Sequence, residues 1–486
     1  MHRPHGIISP EGFDIDISSE EIESCLEVLQ KIADSRTTFV RSDRFNGLIR
    51  KLYREGKRDG LNAERKRQVD EDRSLLADTV MVQIQRDMLP VAALPAPKST
   101  SVRTLNQPKA CYTCKEPFTE VHFFYHQLCP ACAAYNYAMR TLRADLNGRV
   151  ALVTGGRVKI GFQTVLRLLR DGAKVILTTR FPHAAAKRLH AEADSAEWSH
   201  RIDLYGLDLR NIPAVESFAQ HLLDTEPSLD IIIHNAAQTI RRPLGFYQEL
   251  VNQELNPDAT ITPEARRLVV QGAPSTLAVS DSALLLPGVL PALGSVELSS
   301  SLQGSTDILP ADRLEDNEER ADSRDKNSWL LKLDEVSAPE MLEVQLVNSI
   351  APFLLNSRLK PLMTKSPFER RFIVNVSAME GQFSRHKTIF HPHTNMAKAA
   401  LNMMTRTSGE DYKRDGIYMN SVDTGWVTDE NPAPKREEIQ EDLGFFPPLD
   451  IVDGMARIYH PIAMGINEPE EPIYGKFLKD YAPCKW

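Results

Sequence analysis

The stretch from Gly148 to Arg170 constrains this chain more than any other. An unbroken apolar run, Val150-Ala-Leu-Val-Thr154, meets a glycine turn from Gly155 to Gly161 that opens straight into an apolar-faced helix. Strand, tight turn and helix start in that order form half of a βαβ unit, the building block of parallel sheets. Further strands are predicted at 174–179, 201–207, 229–234, 372–377 and 416–422, with helical periodicity between them. Such alternation predicts an α/β fold, a doubly wound parallel sheet over 147–486. The interval 252–327 breaks the rhythm: it is rich in Ser, Pro, Ala, Asp and Glu without a sustained period. It is expected to be a largely disordered insertion.

A second constraint lies just upstream. Cys111-x-x-Cys114 and Cys129-x-x-Cys132 are two thiolate hooks separated by fourteen residues, close to the spacing that sets four sulfurs around one Zn²⁺. A zinc-ribbon-like module over 108–143 is therefore expected. A redox pair or two disulfides are the competing readings, and His122 or His126 is an alternative fourth ligand. Four thiolates leave no open coordination position, so the metal would hold structure rather than activate water.

The first hundred residues read as helical. Ser18-x-x-Glu21 is a capping-box pattern, and Ile22, Leu26, Leu29 and Ala33 then recur at helical spacing. The basic segment from Arg50 to Arg67 is expected to be a solvated helix face, with a nucleic-acid or partner surface as the alternative reading. A formal charge of −8 argues against a chain built to coat nucleic acid, and no basic cluster flanks the cysteines. No apolar run approaches the roughly 20 residues that cross a bilayer. The polar start Met1-His2-Arg3-Pro4-His5 lacks the apolar core of a secretory signal. A cytoplasmic protein without membrane partners is the expectation.

The glycine turn has a chemical reading. Backbone amides at a helix start favour a pyrophosphate, which points to a dinucleotide cofactor. At the end of the second strand, Arg180 stands where an acid would bind both ribose hydroxyls of NAD; a guanidinium there suits the 2′-phosphate of NADP, and Arg157 is a second candidate for it. These features resemble the short-chain dehydrogenase/reductase family, whose turn reads Thr-Gly-x-x-x-Gly-x-Gly. Thr154, Gly155 and Gly161 match it, with Ile160 between and Lys159 in place of the middle glycine, either narrowing the pocket or reaching a phosphate. The resemblance implies that Asp208 lies beside the adenine. It also makes Asn235 and Ala236, with Ala237 for the last glycine, the echo of the family's Asn-Asn-Ala-Gly motif. Gly425 and Thr428 resemble the turn that contacts the nicotinamide, with Thr424 for its proline.

The family's catalytic set is an Asn, Ser, Tyr and Lys. Asn348, Ser377 and Lys398 match three members, but Thr394 stands four residues before Lys398, and no tyrosine lies between Ser377 and Lys398. A Thr hydroxyl is too weakly acidic to replace a phenol unaided. The neighbouring His391 and His393 are candidates for relaying the proton, since an unperturbed His titrates at about 6.5. Twenty-one positions separate Ser377 from Lys398, more than the family norm, which implies a rebuilt loop. Residues 447–461 are expected to form a substrate lid and 474–477 a last strand. The resemblance implies an NADP(H)- or NAD(H)-dependent oxidoreductase acting on a small-molecule carbonyl or alcohol, self-associating through helices near 342–359 and 395–412. The rival is a silent cofactor-binding sensor or scaffold, which the missing Tyr favours.

Overall fold

A computed structural model describes residues 17–34, 43–86, 89, 103–242, 244–270, 321–384, 386–428 and 430–486. The chain divides into two units, Met1–Glu71 and Asp72–Trp486. In the first, the capping box is formed: Ser18 N donates to Glu21 Oε2 at 2.8 Å and Glu21 N to Ser18 Oγ at 3.3 Å, opening the helix Ser19–Asp34. The basic segment lies on the helix Asp43–Ala77, where Arg67 bridges Glu64 and Glu71 in solvent. Such exposed pairs contribute little each.

Among the described residues the second unit carries ten strands. β1 (Arg103–Ala110) and β2 (Pro117–Val121) form an antiparallel hairpin. β3 (Val150–Thr154), β4 (Lys174–Thr179), β5 (Ile202–Gly206), β6 (Ile231–His234), β7 (Arg371–Ser377), β8 (Ile417–Asp423), β9 (Phe477–Lys479) and β10 (Ala482–Cys484) form one eight-stranded sheet in the order β10-β9-β8-β7-β6-β3-β4-β5. All neighbours are parallel except β9 and β10. The doubly wound α/β fold is therefore as expected.

Parallel strands covered on both faces read as continuous apolar runs, and alternate residues feed the two faces. Ala151, Val153, Ile231 and Ile233 pack with the helices Lys159–Arg170 and Ile451–Asn467. Val150, Leu152 and Ile232 pack with Ile212–Thr225 and Ala351–Thr364. Thr154 lies opposite Thr178 of β4 on one side and His234 of β6 on the other, so the strand order reverses at β3. Ligands of open α/β sheets bind at the carboxyl ends of strands at such a switch point.

Two expectations need correction. Part of the supposed disordered insertion is built: Gln248–Leu255, Pro257–Thr260 and Pro263–Arg266 are helices, and Leu268–Val270 runs beside β5, with Leu204 N donating to Leu268 O at 2.9 Å and Val270 N to Leu204 O at 3.0 Å. This covers what would be an open sheet edge. Residues 321–327 are also placed, Asp322 pairing with Arg242 and Arg324; 271–320 lie outside the described residues. The proposed lid at 447–461 is instead mostly the core helix Ile451–Asn467, whose Met455, Ile458, Tyr459 and Ile462 are buried. A helix packed that deeply cannot swing open. The last strands are β9 and β10, slightly beyond the expected 474–477.

Candidate active site

The glycine turn is held by its neighbours. Gly155 has φ +72° and its N–H donates to Thr178 O at 2.8 Å. A Cβ there would fall 2.7 Å from Ala236 Cα, and one on Gly161 would fall 2.2 Å from Gly155 O and 2.4 Å from Asn235 Nδ2. The contact is already used: Asn235 Nδ2 donates to Gly155 O at 2.7 Å, and Ala236 N to Thr154 Oγ1 at 3.1 Å. Thr154, Gly155, Gly161, Asn235 and Ala236 thus lie together at the carboxyl ends of β3 and β6. Lys159 adopts φ +54°, the left-handed region that favours glycine, so the chain keeps the backbone of a glycine position while adding a cation. Ile160 turns its side chain into the core, within 2.8 Å of where a Cβ on Gly454 would lie.

At the far end of β4, two guanidinium groups gather on one aromatic ring. Arg157 lies 5.7 Å and Arg180 5.3 Å from the Phe181 centroid, and Arg180 is 4.5 Å from that of Tyr247. Asp208 is buried and gripped by Arg210, whose Nε and Nη2 donate to it at 3.0 and 2.6 Å. Burial raises its pKa, but Arg210 and the nearby Arg180 outweigh that and hold the carboxyl below its ordinary value. Sequence reasoning missed Glu254, which accepts from His183 N at 3.1 Å, Ala184 N at 3.0 Å and His183 Nδ1 at 2.7 Å, closing the start of the helix Pro182–His190. Nothing in the local sequence could have paired residues 71 positions apart.

Ser377 ends β7 in register with Asp423 at the end of β8. Ser377 Oγ is buried without a hydrogen-bond partner among the described residues. Beside it Lys398 Nζ donates to Val376 O at 2.8 Å. Burial brings the Lys398 ammonium down to about 8, against the opposing pull of Glu380 and Asp423. Asn348 sits in a π-helical turn, Leu346–Ile350, a widening common at functional sites. Its amide is engaged by one residue after β6: it accepts from Gln238 N at 2.7 Å and donates to Gln238 O at 3.0 Å.

The segment His391–Thr394, four to seven residues before Lys398, contains the buried His391, His393 and Thr394. Thr394 Oγ1 has no partner among the described residues, and the His393 ring sits with Nε2 3.5 Å from Glu340 Oε1, an electrostatic approach too long for a good hydrogen bond. His391, with φ +42°, stacks on Trp329 at 3.8 Å and binds Trp329 O through Nδ1 at 2.9 Å, which marks it as a structural wedge. In the last turn, Gly425 has φ +78° and its N–H donates to Asp423 Oδ1 at 2.8 Å, while Thr428 Oγ1 donates to Glu430 at 2.7 Å.

The four cysteine sulfurs lie within 4.8 Å of one another, as one metal ion requires. Cys129 N donates to Cys111 Sγ at 3.3 Å. Burial disfavours the Cys111 thiolate, yet backbone amides of Cys129, Cys114 and Thr113 bring its thiol down to about 7. Neither His122 nor His126 joins the group: His122 Nδ1 accepts from Phe124 N, His126 Nε2 contacts Phe446 O, and burial lowers both to about 4. The module is not a separate finger. Cys111, Phe118 and Phe124 share a core with Val427, Leu449 and Ile160.

A parallel sheet with a glycine turn at its switch point, a buried Ser and a buried Lys at the end of β7, two strands over, and an Asn on a widened helix define a Rossmann-type α/β protein. Residues 149–256 match the short chain dehydrogenase family and 329–444 the family described as Enoyl-(Acyl carrier protein) reductase. Uncharacterized protein R665 of Acanthamoeba polyphaga mimivirus is 31% identical over 423 residues, covering 83% of this chain and 78% of that protein. The bovine Dehydrogenase/reductase SDR family member 13 is 43% identical over 96 residues, 19% of this chain and 24% of its own length. For human Retinol dehydrogenase 13 the figures are 34%, 19% and 28%, so the chain spans about a quarter of these mammalian relatives. The NADPH-bound carbonyl reductase from chicken fatty liver is 17% identical with a TM-score of 0.42 over 70% of this chain and 100% of that one, a likeness of fold alone. The chain belongs to the short-chain dehydrogenase/reductase family.

Proposed function

We propose that this protein is an NADP(H)-dependent oxidoreductase interconverting a small-molecule carbonyl and alcohol, with one structural zinc in its cysteine cluster. The observation that carries the reading is the Ser377–Lys398 pair at the same sheet edge as the Gly155–Gly161 turn. The residues fit the cofactor. A side chain at Gly155 or Gly161 would collide with Ala236 or with the Gly155 carbonyl, so only glycine keeps the turn tight at the switch point, and a buried Ser hydroxyl without a partner among the described residues is one that a ligand would satisfy.

NADP(H) supplies or takes up the hydride. The turn amides of Gly155 to Gly161 and the Lys159 ammonium hold the pyrophosphate. Arg157 and Arg180 receive the 2′-phosphate, which favours NADP over NAD, and Asp208 borders the adenine. Asn235 and Ala236 fix the turn, Gly425 and Thr428 border the nicotinamide, and Lys398 holds its ribose. Ser377 donates to the substrate oxygen, while Asn348 anchors the opposite wall. His393, braced by Glu340, exchanges the proton that the family's Tyr handles, with Thr394 shaping the pocket beside it.

The missing Tyr is the observation that favours a non-catalytic, cofactor-binding scaffold instead. Titration with NADPH, followed by turnover on a panel of aldehydes and ketones, separates the two. Binding with turnover abolished in Lys398→Ala supports the enzyme, binding without turnover the scaffold, and no binding up to millimolar NADPH removes both. Exposed Ile350, Phe353, Met396 and Met403 support self-association through the two helices that carry them. Among the described residues no helix is long and apolar enough to cross a membrane.

A further inference from the structure

One hydroxyl near this site has no part in the reading above. Tyr112 directly follows Cys111, and its N–H donates to Gln127 O at 2.8 Å within the cysteine module. Its phenol leaves the module: the hydroxyl accepts from Trp426 N at 2.9 Å and would lie 3.5 Å from a Cβ on Gly425. The two consecutive amides of the turn after β8 are therefore fixed from different directions. Gly425 N is held by Asp423, whose other oxygen pairs with Lys479 at 3.1 Å, and Trp426 N is held by Tyr112. Lys479 Nζ also lies 5.7 Å from the centre of the Tyr112 ring. Val427, the next residue, packs in the same core as Cys111.

We propose that Tyr112 is a positioning residue for the nicotinamide half of the cofactor, held in place by the adjoining four-cysteine metal site, so that metal occupancy sets the grip on that half alone. The inference rests on the cofactor reading given above. A turn that borders a ring must hold its amides still, and Trp426 N–H without an acceptor gains freedom that binding must then remove. Four sulfurs bound to one ion fix the backbone at Cys111, hence the start of the Tyr112 side chain; released, they no longer define it. The adenosine end is held by Asp208, Arg180 and Arg157, next to β4 and β5 and remote from this contact in the strand order.

The test compares two probes, NADPH and adenosine 2′,5′-bisphosphate, by calorimetry on the full chain. It uses the wild type, Tyr112→Phe, and wild type stripped with a chelator and then reloaded with Zn²⁺. The expected result is that NADPH binding weakens about fivefold or more in Tyr112→Phe and in the stripped protein. Bisphosphate affinity should stay within about twofold, and Zn²⁺ should restore NADPH binding. A general loss of structure would weaken both probes alike, and that outcome overturns the proposal, as does unchanged NADPH affinity in Tyr112→Phe. If chelation unfolds the chain, the Phe variant decides. A wild type that binds neither probe overturns the cofactor reading itself, a result distinct from a wild type that binds both.

Discussion

Arg140, at the end of the helix that carries Cys132, binds the Asp450 carboxylate with both terminal nitrogens, at 2.7 and 2.9 Å, with the two side chains 1% and 5% exposed. Asp453 lies 3.1 Å from the same guanidinium and accepts the Tyr125 hydroxyl at 2.6 Å. Asp450 also caps the helix Ile451–Asn467, so the cysteine module and the core helix share one buried charge cluster.

Replacing Arg140 by Met should therefore cost about 3–5 kcal/mol, because two carboxylates lose their buried cation. The sign of the pH effect follows from Asp453. Burial, the largest influence, raises its pKa above the ordinary 3.8 even with Arg140 present. A carboxyl raised on folding takes up a proton, so its contribution declines as pH rises from the unfolded value through the folded one. Removing Arg140 raises it further and widens that window upward. Urea titrations should show the variant's deficit growing between about pH 4 and pH 7; a deficit independent of pH would contradict the assignment.

Lys398 gives a second pH signature. Burial leaves its ammonium at about 8, so the charged form that attracts a phosphorylated ribose predominates below that pH and is lost above it. NADPH affinity measured by fluorescence should be flat near neutrality and fall toward about tenfold per pH unit above 8. Lys398→Met should bind more weakly with a flat profile. An unaltered decline in the variant would assign the titration elsewhere.

The glycine turn makes a steric prediction. Gly161→Ala would place its Cβ 2.2 Å from Gly155 O, a backbone atom that cannot rotate away. The expected outcome is a loss of about 1–3 kcal/mol in stability together with weakened NADPH binding, read by thermal melting with and without cofactor. A variant that melts and binds like the wild type would show that the turn is not packed as described.

Metal analysis checks the cysteine cluster. About one zinc per chain is expected, lost in Cys114→Ser. Because the module shares its core with Val427 and Leu449, metal loss should also lower the melting temperature of the whole second unit rather than of a detached finger. A zinc-free wild type of full stability would refute the structural role.

What the sequence disclosed, and what it hid, follows from the range of the interactions. The turn and its glycines were legible because backbone chemistry writes itself into neighbouring residues. Lys159 shows the limit: its side chain suggested a departure, while its backbone keeps the left-handed geometry of a glycine. The helices between Gln248 and Arg266 escaped notice since each is at most eight residues long, too short for a period to emerge. The expectation of a substrate lid at 447–461 fails because Asp453 and Arg457 of the helix Ile451–Asn467 are buried by a module more than 300 positions away. The Tyr112–Trp426 contact, 314 positions apart, lay beyond any local pattern.

The proposed mechanism gives the proton-donor role to His393, and two conservative variants test it. Thr394 stands four residues before Lys398, its hydroxyl buried without a partner among the described residues, so Thr394→Val changes little in volume and removes only a weak acid. His393 is equally buried but is backed by Glu340, whose carboxyl is driven up by burial and held below its ordinary value by His393 and Ser328. His393→Gln should lower kcat about 10²-fold or more while leaving NADPH affinity intact, the magnitude usual for loss of a general acid. Thr394→Val should retain turnover within about threefold, since a Thr hydroxyl unaided contributes little as an acid. The reverse pattern would move the proton to the hydroxyl, and equal, small effects of both variants would mean that water carries it.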